Sequence, residues 1–152
     1  MPTKTNPVLA MLKEDHKKVK GLFEDYKDAH ARKQQEIADT VIHELEVHTA
    51  LEEELIYPAI RAQIDEDGLM NEATEEHHLL HVLICELKQR DASDEIFTAK
   101  FTVLGELVKH HVKEEEGEMF PKAQKADLDW DALNAEVHER KEQLTAKLTA
   151  RA

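Results

Sequence analysis

Leu9, Leu12, Val19, Phe23 and Tyr26 recur at three-, four- and seven-residue steps, the spacing that sets side chains on one face of an α-helix. Asn6 followed by Pro7 supplies an N-cap and a first-turn proline, so a helix is predicted from there to about Ala31. A second helix is predicted from near Gln34, with Ile37, Val41, Leu45 and Leu55 on its apolar face. Pro58 lacks an N–H and should kink or interrupt it before the chain runs on to about Ile64. Asp65 to Gly68 reads as a turn. The third helix, about Met70 to Gln89, aligns Ala73 and Ile84; Ser93, with Asp94 and Glu95 behind it, starts a fourth. There Phe97, Phe101, Leu104 and Val108 step by four, three and four, and the helix should bend or stop at Gly117 and Pro121. A fifth segment, about 128 to 150, packs Trp130, Leu133 and Val137 and frays through Leu144 and Leu148. Long helices with short connections predict an all-α fold: an antiparallel four-helix bundle with a short fifth C-terminal helical segment. A chain of 152 residues is expected to form one domain over its whole length, 1–152.

Each of the four long stripes is broken by a histidine or a carboxylate where an apolar residue is due. The intruders are His16; His48 and Glu52; His77 and His81; His111 and Glu115. Two of these interruptions belong to a repeat: the stretch from His48 to Pro58 returns as His111 to Pro121, each with glutamate four residues after the histidine and an aromatic–proline pair at its end. Residues four apart on a helix share a face, so each histidine–glutamate pair can address one metal or two adjacent ones. An unpaired buried carboxylate costs several kcal/mol, and two in one core repel; cations relieve both problems. Mixed imidazole and carboxylate donors favour iron or manganese, and a closed four-ligand zinc site fits less well. Seven ligands exceed the needs of one ion. Two ions bridged by Glu52 and Glu115 fit the set and leave a vacant position.

The remaining titratable and aromatic residues take simpler roles. His30, His43, His78, His110 and His138 fall off the stripes and are read as surface residues. A ferritin-like site would need Glu-x-x-His on two helices, and only Glu75-x-x-His78 matches, off the stripe. Tyr26 and Tyr57 are read as packing residues within reach of the ligands' outer shell. Glu53, Glu54 and Glu114 are expected in solvent, and Glu116 is a reserve ligand. Tyr57-Pro58 and Phe120-Pro121 are expected to close the bundle over the metals.

A net charge of −13 argues against nucleic acid, whose binding requires Lys and Arg at phosphates, and against anionic membrane surfaces. No apolar run spans a bilayer and no leader precedes the first helix, so a cytoplasmic location is expected. The lone Cys85 lies in the apolar run Leu83-Ile84-Cys85 and is read as a buried, inert thiol.

The order His16, His48-x-x-x-Glu52, His77-x-x-x-His81, His111-x-x-x-Glu115 resembles the hemerythrin-like, or HHE cation-binding, domain over about residues 8 to 125. The resemblance implies an up-down-up-down bundle around a non-haem centre of two iron ions with an oxo or hydroxo bridge. By position, His77, His81 and His111 would hold one iron and His16 and His48 the other, with Glu52 and Glu115 bridging. The iron with two histidines would be open to O₂, NO or peroxide. Respiratory hemerythrins place an aspartate five residues after the last histidine; here that position is Glu116 and the fourth is Glu115, closer to the bacterial branch, including mycobacterial hemerythrin-like proteins. Binding of a small diatomic ligand or peroxide is the function expected. The alternatives are an enzyme decomposing peroxide or reducing NO, and iron storage or sensing; the sequence singles out no catalytic residue. The fifth segment either covers the bundle or mediates a dimer.

Overall fold

The computed structural model describes residues 6–150, with side chains as far as residue 147. Helix α1 is Pro7–Asp28, α2 Ala31–Leu51, α3 Tyr57–Gln63, α4 Asp67–Leu87, α5 Glu95–Glu114, α6 Phe120–Lys125 and α7 Trp130–Ala150. Glu52–Ile56 and Glu115–Met119 are π turns joining α2 to α3 and α5 to α6. No strand occurs among the described residues. The four long rods α1, α2–α3, α4 and α5–α6 form the expected bundle, and α7 packs along α1, α2 and the first π turn.

Local sequence accounts for the starts. Asn6 accepts from the N–H groups of Val8 and Leu9, satisfying two of the donors that a helix start leaves free. Helix α5 is capped by Asp94, through Ile96 N–H, rather than by Ser93. Helix α2 begins at Ala31, earlier than Gln34, because His30 Nδ1 accepts from Lys33 N–H.

The second departure from expectation concerns the prolines. Pro58 and Pro121 neither end nor break their helices. Each follows a π turn, in which Tyr57 N–H bonds to Glu52 O and Phe120 N–H to Glu115 O, five residues back. The carbonyl that a proline ring would strike in an α-helix, four residues back, belongs to Glu54 or Gly117, both inside the wider turn. Gly117 accordingly lies within a continuous rod.

Two apolar clusters make the core. One gathers Leu9, Leu12, Leu51, Ile56, Met70 and Phe120, with Leu133, Val137 and Leu144 of α7 sealing it. The other gathers Val19, Ile37, Leu45, Leu80, Phe97 and Leu104. Each fully buried Leu, Ile or Phe contributes about 1.5–3 kcal/mol relative to exposure. Leu148, expected to extend the α7 contact, lies outside the described side chains. Cys85 is exposed, on the solvent side of α4, contrary to the expectation of a buried thiol. Its neighbours Leu83 and Ile84 are the residues that turn inward.

The clusters meet at a polar layer. On α1, His16 lies between Leu12 of one cluster and Val19 of the other; on α2, His48 lies between Leu45 and Leu51; on α4, His77 lies between Ala73 and Leu80. The bundle thus buries a band of titratable groups with greasy packing above and below.

Candidate metal centre

His16, His48, Glu52, His77, His111 and Glu115 are all buried, and both glutamates are at most 1 % exposed. Their inward atoms converge. His16 and His48 face one another Nε2 to Nε2 at 3.3 Å, and His77 and His111 do the same at 3.2 Å. Glu52 Oε1 lies 3.3 Å from His48 Nε2 and 3.1 Å from His77 Nε2, so it reaches both histidine pairs. Glu115 does likewise, with Oε1 3.4 Å from His16 Nε2 and Oε2 2.7 Å from His111 Nε2. Two overlapping donor groups result, Glu52–His77–His111–Glu115 and His16–His48–Glu115.

Carboxylates outside the cluster fix the rings. His48 Nδ1 is 3.0 Å from Asp15, His111 Nδ1 2.8 Å from Glu76, His77 Nδ1 3.1 Å from Glu53 and His16 Nδ1 2.7 Å from Glu116. Each holds one ring nitrogen and orients the other inward, as outer partners of metal-bound imidazoles do. The pattern obeys the repeat: Asp15 and Glu76 each precede a cluster histidine in sequence and serve the histidine of the next long helix. Glu53 and Glu116 each follow a bridging glutamate and serve the opposite half. Glu53 is exposed, as expected, and reaches His77 from the solvent side. Glu115, not Glu116, is the carboxylate the fold turns inward.

Two residues depart from their sequence assignments. His81 is not brought into the cluster: its side chain is 43 % exposed and its Nε2 bonds Glu53 Oε2 at 2.9 Å. Tyr57, read as packing, sends its hydroxyl into the cluster, 3.2 Å from His77 Nε2 and 3.1 Å from His111 Nε2, and donates to Glu115. Tyr26 does pack, against Phe101, with its hydroxyl 3.0 Å from Thr98 Oγ1. Phe120 lies nearly parallel to the His16 ring at 6.1 Å between centroids, covering that side. Of the off-stripe histidines, His30, His78, His110 and His138 are exposed, and His43 is half-buried.

The electrostatics are those of a cation site filled by protons. Burial opposes charge on His48, yet Glu52 and Asp15 outweigh it and hold its pKa well above the usual imidazole range. Burial likewise opposes charge on His111, but hydrogen bonds to Glu115 and Glu76 push it up to about 10. Glu115 resists burial through His111 and His16 and is held well below the usual carboxylate range. Burial, and then the charges of Glu52 and Glu115, keep the Tyr57 phenol protonated. Both oxygens of Glu52 and Oε1 of Glu115 nevertheless have no hydrogen-bond partner. Orphaned buried carboxylate oxygens among four fixed imidazoles fit hard or borderline cations.

A solved Hemerythrin HHE cation binding domain-containing protein from Mycobacterium kansasii superposes with a TM-score of 0.77 at 24% identity, covering 92% of this chain and 88% of that one. That likeness supports the bundle fold. No curated protein matches the chain. The family model described as the Hemerythrin HHE cation binding domain matches residues 8–123. Spanning both copies of the repeat and every histidine and carboxylate of the buried cluster, that match makes the chain a member of the hemerythrin HHE cation-binding family.

Proposed function

We propose that the chain is a cytoplasmic non-haem di-iron protein that binds O₂, NO or peroxide at an open iron position. One observation carries this reading: two donor groups of unequal size share Glu115, four residues on one side and three on the other. His77, His111, Glu52 and Glu115 would hold one ion, with the Tyr57 hydroxyl beside it. His16, His48 and Glu115 Oε1 would hold the second, which has fewer protein donors and so more room for an added ligand. A pair of irons supplies two adjacent one-electron centres and an open coordination position. The chain supplies buried donors, four rings fixed from outside, and a buried phenol.

Metal analysis with visible spectra tests the reading. Two irons per chain, and a spectrum that changes on adding azide, peroxide or NO, are expected. A single ion, or a spectrum indifferent to all three, would overturn it. A second reading, peroxide-decomposing catalysis, draws on Tyr57, whose buried hydroxyl among the donors is placed to give or take a proton. Sustained O₂ evolution from hydrogen peroxide, lost in His111→Ala, would favour that reading; bleaching without turnover would exclude it.

A further inference from the structure

The seam between α1 and α5 holds a groove of about 740 Å³, within the range of small-molecule sites. It follows α1 from Lys13 to Lys27, roughly 21 Å at 1.5 Å per residue. Near its Lys13 end the lining includes His16 and Glu116, the outermost pair of the metal centre. Toward the other end it is lined by the half-buried Phe23, backed by the buried Phe101 at 4.6 Å between ring centroids. Gly105 lets Phe23 lie against α5: a Cβ there would stand 2.9 Å from the ring.

The charges around it reverse those of the whole molecule. Lys13, Lys17 and Lys20 stand at four- and three-residue steps on α1, and Lys109 and Lys113 stand four apart on α5. Among the described residues, none of these five pairs with a carboxylate within 4.0 Å, whereas seven other lysines do. Glu14 also lies on this part of the lining. Beyond Lys20 the charge becomes mixed, with Glu24 paired to Lys27 at 3.2 Å and Glu106 on α5. A chain of net charge −13 therefore gathers five unpaired ammonium groups around one end of this groove.

We propose that this groove binds a long-chain monocarboxylate, a fatty acid, with its carboxylate between Lys17 and Lys113 and its alkyl chain along Phe23, Gly105 and Val112. Apolar burial supplies the affinity, and the lysines select the head group and its direction. The bound acid covers the His16–Glu116 edge. Its effect on ligand entry to the irons rests on the di-iron reading above; its binding does not.

Calorimetric titration of the full-length chain with hexadecanoate, below its micelle concentration, should give one saturable site. Acetate should not compete, and hexadecyltrimethylammonium should bind about tenfold more weakly or worse. Lys17→Glu with Lys113→Glu should weaken hexadecanoate by about tenfold or more, as expected for two lost near-surface charge contacts. Lys125→Glu, outside the groove, should leave it unchanged. Absence of saturable binding, equal binding of the cationic amphiphile, or indifference to the double reversal would overturn the proposal. In the iron-loaded chain, hexadecanoate should slow the azide-induced spectral change; binding without slowing would overturn the head-group placement. A chain that binds hexadecanoate but holds no iron refutes the di-iron reading and leaves the fatty-acid site standing.

Discussion

Glu52→Gln separates a carboxylate held for cations from one held for a structural ion pair. Glu52 is 0 % exposed and lies 3.3 Å and 3.1 Å from two imidazoles, yet neither of its oxygens has a hydrogen-bond partner. If its charge were there to pair with His48 and His77, removing it should cost the metal-free fold about 3–5 kcal/mol, the loss seen when a buried pair is broken. If the charge awaits cations, the metal-free protein already bears its desolvation. The isosteric amide should then cost less than about 1 kcal/mol, or stabilise. Loading should reverse the order. At a metal concentration of about one hundred times Kd, binding stabilises the native protein by about 2.7 kcal/mol. For a chain of this size that raises Tm by roughly 5–11 °C, at about 2–4 °C per kcal/mol. Glu52→Gln should lose most of that rise. Circular-dichroism melts of chelator-treated and iron-reloaded protein measure both quantities. A variant that loses 3–5 kcal/mol without metal and keeps the full metal-induced rise would refute the reasoning.

Other perturbations address single contacts. Tyr57→Phe should destabilise the metal-free protein by about 1.5–3 kcal/mol, the worth of a hydrogen bond to a charged acceptor, and an unchanged melting curve would show that Glu115 does not depend on it. His81→Ala should retain the wild-type metal content, because the ring is solvent-facing and bonded only to Glu53; loss of an ion by metal analysis would return it to the ligand set. Asp15→Asn and Glu76→Gln should each weaken metal binding by about 10–100-fold in chelator competition, and unaltered affinity would show that ring anchoring is unimportant here. Asp94 is held below its ordinary 3.8 by Ile96 N–H and then Arg90. Its stabilisation is therefore present above that value and lost as pH falls through the lower folded pKa. Asp94→Ala should flatten acid unfolding in that window, and superimposable acid melts of variant and wild type would exclude the cap.

The bundle and most of its buried donors were legible because apolar periodicity and ligand periodicity coincide. His16 continues the stripe of Leu12 and Val19, and His111 that of Leu104 and Val108, so a helical wheel alone places them inside. The wheel fails where the period changes. Five residues of α-helix turn the chain through roughly 500°, which would put Tyr57 about 140° from Glu52. In the π turn its N–H bonds directly to Glu52 O, and both side chains face inward. The same shift buries Ile56 where the α-period selects Leu55, which is only partly buried. His81 lies outside the buried cluster for a different reason: no outer carboxylate turns it inward, and Glu53 draws its Nε2 outward. The anchors Asp15 and Glu76 left a signal, each directly preceding a cluster histidine, although adjacency along a helix gives no hint that the partner is on the next rod.

The doubled motif also has an asymmetry. Both π turns deliver an aromatic ring to the polar layer, Tyr57 in the first half and Phe120 in the second. One ring ends in a hydroxyl that bonds Glu115; the other presents only its face to His16. A near-duplicate scaffold thus acquires two inequivalent poles from a single oxygen atom. One pole has a phenol hydroxyl built into its wall, while the other is covered by a plain hydrocarbon ring and takes its polarity from the His16–Glu116 pair at its edge.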